Sequence, residues 1–188
     1  MEGKHDELPP IRLEDAVSYI VNRSSEHGMI MVNERHHVSN DRLLTLSLLE
    51  PLYHRGYRYL AIEAMWPGDE INQRGYPTKN TGYYVNDVVF AEMLRVALSL
   101  GYEIVAYEIE EHQKNKADSR NDQVRRDYWQ ARNLIDRTLG KDSEAKVLVH
   151  CGWEHLQEQK TSNWQPMAYF VREITEVDPN PWTGRQRN

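Results

Sequence analysis

Four runs of this sequence end in side chains that can hold or move a proton. Asn33, Glu34, Arg35, His36 and His37 follow the apolar run Met29-Ile30-Met31-Val32, and Glu63 follows Leu60-Ala61-Ile62. Glu108 and Glu110 follow Glu103-Ile104-Val105-Ala106-Tyr107. His150, Cys151, Gly152, Trp153, Glu154 and His155 follow Lys146-Val147-Leu148-Val149. A carboxylate beside an imidazole is the chemistry of a general base with its orienting partner. It is equally the chemistry of a divalent metal with oxygen and nitrogen ligands. Period-two alternation sets Glu34 and His36 on one side of an extended chain, and Asn33 and Arg35 on the other. Glu63 comes directly after three apolar residues and should be partly buried, where an unpaired carboxylate is costly. Glycine at position 152 lets backbone approach a ligand closely, and backbone amides at the start of the segment carrying His155 could hold an anion. Any one of these residues alone reads as an ordinary solvated loop residue; the signal is that four separate runs end this way.

Gathering four such ends at one place requires parallel strands, because ligands of an open α/β sheet bind beyond the carboxyl ends of its strands. The spacing supports that arrangement. Leu13, Ala16, Val17, Ile20 and Val21 recur at helical intervals, as do Leu43 to Leu52, Val88 to Leu98, Trp129 to Leu139 and Trp164 to Val171. Short apolar runs at 29–32, 57–62, 103–107 and 146–149 fit strands buried on both faces, and Ile174 to Val177 is expected as a fifth strand at an edge. Helix-length spacers between the strands supply the crossovers that parallel pairing needs. The expected fold is therefore α/β: one domain over residues 11–188, a mainly parallel sheet of about five strands flanked by helices, after a tail at residues 1–10. The segment from Trp66 to Tyr84, broken by Pro67, Gly68, Gly75 and Pro77, is expected to cover the site.

Composition narrows the function. The chain has 188 residues and a formal net charge of -6, which disfavours a nucleic-acid or anionic-membrane partner. The single cysteine, Cys151, excludes an intramolecular disulfide framework and a cysteine-rich zinc site, and reads as a small buried hydrophobe. No apolar run reaches the length of a membrane span and no signal peptide opens the chain, so a cytoplasmic protein is expected. Glycine-rich phosphate loops, GxGxxG, Gly-x-Ser-x-Gly and His-Glu-x-x-His are all absent from the sequence.

The residues also resemble a known group. Met29 to His36 resembles the strand and Gly-Glu-x-His motif of the erythromycin esterase/ChaN-like superfamily, which includes the TraB/TIKI group, with Asn33 in place of the glycine. Leu60-Ala61-Ile62-Glu63-Ala64 is similar to its second motif, and Arg126 to Asn133 to its Arg-Asp-x-x-Met-Ala-x-Asn helix, with Gln130 in place of the methionine. Lys146 to His155 resembles its last strand and Gly-x-x-His motif, and Asp178 to Gln186 its short ending. The resemblance implies a site of Glu34, His36, Glu63, Arg126 and His155. In that reading His36 is the general base that activates water, Glu34 or Glu63 orients it, and Arg126 steadies developing negative charge. His155 completes the base pair or binds a metal. Should a divalent metal take part, Glu34, His36 and His155 would be its ligands, lowering the pKa of bound water. The function implied is a hydrolase cleaving an ester, amide or related bond of a small-molecule or peptide substrate. The alternatives are a non-catalytic metal- or haem-binding module and a toxin- or effector-type domain of the same fold.

Overall fold

In the computed structural model, which describes residues 15–114, 118–161, 163–175 and 180–182, helices and strands alternate as the spacing predicts. The elements are α1 (Ala16–Arg23), β1 (Met29–Glu34), α2 (Arg42–His54), β2 (Tyr57–Ile62), a single turn α3 (Ile71–Arg74), α4 (Val88–Leu100), β3 (Glu103–Ala106), α5 (Asp122–Arg137), β4 (Lys146–Gly152), α6 (Met167–Thr175) and β5 (Asn180–Trp182). The tail at 1–10 and the first residues of the expected leading helix lie outside the described residues.

The sheet is five-stranded, in the order β3-β2-β4-β1-β5, and every pairing is parallel. The chain leaves β1 and skips one place to reach β2 and then β3. It then doubles back so that β4 fills the gap between β1 and β2. That reversal puts the crossover helices on opposite faces. Period-two alternation divides the strands accordingly. Ile30, Val32, Leu60, Ile62, Ile104 and Leu148 pack beneath α1, α2 and α4. Met29, Met31, Ala61, Val105, Val147 and Val149 face α5 and α6. Each such side chain taken fully out of water contributes about 1.5–3 kcal/mol, so the sheet's two apolar faces are the source of the rigidity on which any site at its rim depends.

One boundary differs from the sequence expectation. Ile174 and Thr175 close α6 rather than opening a strand, and the edge strand lies later, at Asn180–Trp182; Glu176 and Val177 lie outside the described residues. The long helix begins at Asp122, where the Asn121 side chain caps it by accepting from Val124 N.

The exposed edge of β3 is finished by side chains. Asn72 donates its amide N–H to Ile104 O at 2.8 Å and accepts from Ile104 N at 2.8 Å, while Arg137 donates to Ala106 O. No helix among the described residues is long and apolar enough to cross a membrane.

Candidate functional site

At the carboxyl end of the sheet, four adjacent strands deliver their terminal residues side by side: Glu108 after β3, Glu63 after β2, His150 to Gly152 at the end of β4, and Glu34 with His36 at the end of β1. Register places Glu34 opposite Gly152 and Ile62 opposite His150. The five residues singled out in the sequence, Glu34, His36, Glu63, Arg126 and His155, all come to this rim, in two linked groups.

The first group is built on Glu34, which is 2% exposed. Its Oε1 lies 2.8 Å from His36 Nδ1, and Arg42, from the first turn of α2, donates Nε to Oε2 at 2.5 Å and Nη2 to Oε1 at 3.1 Å. His150 Nε2 sits 3.0 Å from Glu34 Oε2 without a well-aligned hydrogen bond, and its Nδ1 meets Thr45 Oγ1 at 2.9 Å. Burial opposes charge on Glu34, but its close polar contacts with His150, His36 and Arg42 outweigh it and hold the carboxyl well below its usual range. Arg42 also spans to Asp87 at 3.1 Å and to the His36 carbonyl at 3.0 Å. The His36 imidazole is raised above its usual pKa, first by the hydrogen bond to Glu34, against burial, and then by the charges of Glu63 and Glu34. Its ring is stacked on Tyr84, with centroids 4.9 Å apart and 18° between planes.

The second group centres on Glu63, 5% exposed. Its Oε1 accepts from Arg126 Nη2 at 2.8 Å and lies 3.1 Å from His155 Nε2; its Oε2 accepts from Gly152 N at 2.6 Å. Arg126, on α5, also donates to Glu108 Oε1 at 2.8 Å. His155 Nδ1 faces Asp127 Oδ1 at 2.5 Å, and Asp127 in turn accepts from Gln123 and from the Trp164 indole, both at 3.0 Å. Burial disfavours the imidazolium of His155, but hydrogen bonds to Asp127 and Glu63 and their charges raise it to about 9. Glu63 shows the mirror image: burial pushes it up, and His155, Arg126 and the Gly152 amide together hold it well below the usual carboxylate range. The groups meet where His36 Nε2 and Glu63 Oε2 stand 3.8 Å apart.

Several contributors lie outside the five. Arg42 carries no sequence signal of its own, and Asp127 only that of the Arg126 to Asn133 resemblance, yet they are 2% and 0% exposed. Asp127 follows Arg126 directly, so the first turns of α5 contribute a cation to one partner and an anion to another. Tyr84 belongs to the expected covering segment, which is seated by a bridge between Met65 and Gly82. Trp164 supplies a hydrogen bond to Asp127, and Trp153 is exposed. Cys151 is fully buried, and burial pushes its thiol pKa up, consistent with packing. Gln130 is fully buried on α5.

The donor set does not suit a divalent cation. Glu34 spends its oxygens on Arg42 and His36, and His155 turns both nitrogens to carboxylates. Arg42 and Arg126 already supply positive charge to the two buried glutamates. Among the described residues no group of three or more His, Cys, Asp and Glu side chains is placed to hold a metal.

Gly152 is where the backbone meets both groups. A Cβ there would stand 2.7 Å from His36 Nε2 and 3.3 Å from Glu63 Oε2, and His36 is pinned by Glu34 and Tyr84. We expect Gly152→Ala to displace the imidazole, cutting any His36-dependent turnover about tenfold or more while lowering stability by only about 1 kcal/mol. Paired turnover and thermal-melting measurements check this; full turnover in a normally folded variant contradicts it.

No protein-family model matches the chain, and no curated protein matches it in sequence. Among solved structures it is similar to RRSP, a MARTX toxin effector domain from Vibrio vulnificus, with a TM-score of 0.51 and 13% identity over 75% of this chain and 32% of that one. The chain thus spans about a third of the neighbour's length, and at this identity the likeness is one of fold.

Proposed function

We propose that the protein is a hydrolase in which His36 is the general base. The observation that carries this is the His36 environment. Nδ1 of this 38%-exposed ring is engaged by the buried Glu34 at 2.8 Å, while Nε2 faces Glu63 across 3.8 Å. Donating Nδ1–H to Glu34 fixes the tautomer that leaves the Nε2 lone pair free to take a proton. In the proposed step, Nε2 removes a proton from water as the oxygen adds to the carbonyl carbon of an ester or amide. The bond to the leaving group then breaks, and the leaving group takes the proton from His36. Glu63 is a poor base, since its oxygens are committed to Arg126, His155 and Gly152. Its part is to hold Arg126, whose guanidinium is one-third exposed and offers positive charge to the developing oxyanion. His155, tied to Asp127, holds Glu63 in turn.

The resemblance of the four sequence motifs to the erythromycin esterase/ChaN-like superfamily supports this reading. The fold likeness to a toxin effector domain favours a second one, in which the same site acts on a macromolecule as an effector-type domain. The two share residues and differ in substrate, so a panel holding small esters, peptides and folded proteins separates them.

His36→Ala is expected to lower turnover about a hundredfold or more with the melting temperature little changed. Because a raised pKa keeps His36 protonated at lower pH, wild-type kcat/KM should rise with pH through a midpoint above 6.5. Chelation of divalent metals should leave turnover unaltered. Undiminished turnover in folded His36→Ala protein removes His36 from the mechanism, and loss of turnover on chelation replaces the metal-free step.

A further inference from the structure

Beside the acid–base cluster lies a cleft of about 360 Å³, within the range of small-ligand sites. One wall is Trp66 and Pro67 and the other is Tyr83 and Tyr84, both from the segment between β2 and α4. The walls are held together by backbone pairing. Trp66 N donates to Thr81 O at 3.0 Å and Tyr83 N to Ala64 O at 2.8 Å. Gly82 permits this approach, since a Cβ there would stand 2.7 Å from Ala64 O. Glu63, Glu108 and Arg126 form the floor.

The carboxylates of the floor are already engaged, and the exposed third of Arg126 is the charge the floor turns to a ligand. Both carboxylates are bonded to Arg126 at 2.8 Å, Glu63 also accepts from Gly152 N and Glu108 from Ala64 N, and Lys114 at the mouth is paired with Glu111 at 2.8 Å. What remains unsatisfied is the surface of the walls: Trp66 is 46% exposed and Tyr83 68%. This exposure is not scattered. The large exposed apolar side chains among the described residues are Leu43, Trp66, Tyr76, Tyr83, Val88 and Trp153. All six lie in connections leaving the carboxyl ends of β1, β2 or β4, or in the first turn of the helix that follows. Connections at the opposite end of the sheet carry none among the described residues. Exposed apolar surface confined to the functional rim, beside carboxylates that are already paired, is complementary to a flat apolar group.

We infer that the cleft between Trp66 and Tyr83 is the subsite for an aryl group of the substrate, held beside the bond to be cleaved. This rests on the hydrolytic reading for what the subsite serves, though not for its ability to bind. The position fits the chemistry, because Tyr84 is at once a wall of the cleft and the ring stacked on His36, and Glu63 is both floor and partner of the second group. An aryl ring lodged there is one side chain from the base. Aromatic walls favour an aryl ring over a saturated one through edge-to-face and offset contacts in addition to buried area.

The test uses 2-naphthol and its saturated counterpart, decahydro-2-naphthol, titrated calorimetrically into the full chain. Naphthol is expected to bind saturably and the saturated alcohol roughly two- to tenfold more weakly. Trp66→Ala and, independently, Tyr83→Ala should each weaken naphthol about tenfold; the side chains are 46% and 68% exposed, so the fold survives their removal. Absence of saturable binding, or binding untouched by both substitutions, overturns the subsite. The functional reading fails separately: naphthol binding without hydrolysis of any naphthyl ester, amide or peptide keeps the subsite and removes the hydrolase. Turnover without Trp66-dependent binding does the reverse.

Discussion

Replacing Arg42 with methionine is expected to cost about 3–5 kcal/mol of stability, the penalty typical of leaving one member of a buried ion pair without its partner. For a chain of this size that lowers Tm by roughly 6–20 °C. The argument is the position of the guanidinium. It is 2% exposed, makes two hydrogen bonds to Glu34, bonds the His36 carbonyl, reaches Asp87, and lies under the rings of Tyr84 and Phe90. Removing it strands a carboxylate that is itself almost fully buried, with only imidazoles beside it. Adding Glu34→Gln to Arg42→Met should therefore restore part of the loss, because the stranded charge is removed. Arg42→Lys keeps the charge but not the two-pronged geometry, and should fall between wild type and methionine. Denaturant melts of the four proteins decide the matter. A methionine variant within about 1 kcal/mol of wild type would mean that the pair is a passenger.

Between pH 6.5 and about 9, stability should decline by about 3 kcal/mol on account of His155. Its folded pKa of about 9 lies above the ordinary 6.5, so in that window the native state holds a proton that the unfolded chain releases. The contribution is complete below 6.5 and is lost as pH rises through 9; at 1.36 kcal/mol per unit it amounts to the figure given. Glu63 has the opposite sign. Its depressed carboxyl contributes above its ordinary value and loses that contribution as pH falls, through the same contact, so the pair is counted once. His36, also raised, adds a smaller slope in the same direction as His155. Denaturant unfolding at pH 6, 7.5 and 9 on wild type and His155→Gln resolves the contributions. An equally steep decline in the variant would show that the titrating group lies elsewhere.

What the sequence disclosed here follows from which forces are local. Runs such as Met29–Val32 and Val147–Val149 are apolar on both faces, and only a sheet covered by two helical layers buries them, so the α/β class and the parallel pairing were legible. Parallel strands share a rim, and the convergence of Glu34, His36, Glu63 and His155 follows from that alone. Strand order was not legible, because placing β4 between β1 and β2 depends on which face each crossover takes. The fifth strand was misplaced because Ile174 and Thr175 serve the amphipathic face of α6 as well as they would a strand. Arg42 and the role of Asp127 are illegible for a different reason. A buried charge is distinguished from a solvated one only by the partners the fold brings to it, and these two find theirs in Glu34 and His155. The site thus has a legible front, made of residues at strand ends, and an illegible back made of the helix residues that brace it.

The amide of Asn72 has a consequence of another kind. By giving and taking one hydrogen bond each with Ile104, it imitates the peptide group of a neighbouring strand, and Arg137 occupies the next carbonyl along. On that side the ladder ends in a stopper, not an open row of donors and acceptors. A stray chain finds nothing to zip onto there, so β3 is poorly suited to templating fibres or to exchanging strands between molecules. Encounters on that flank have to be made by side chains, which dissociate and can choose their partner.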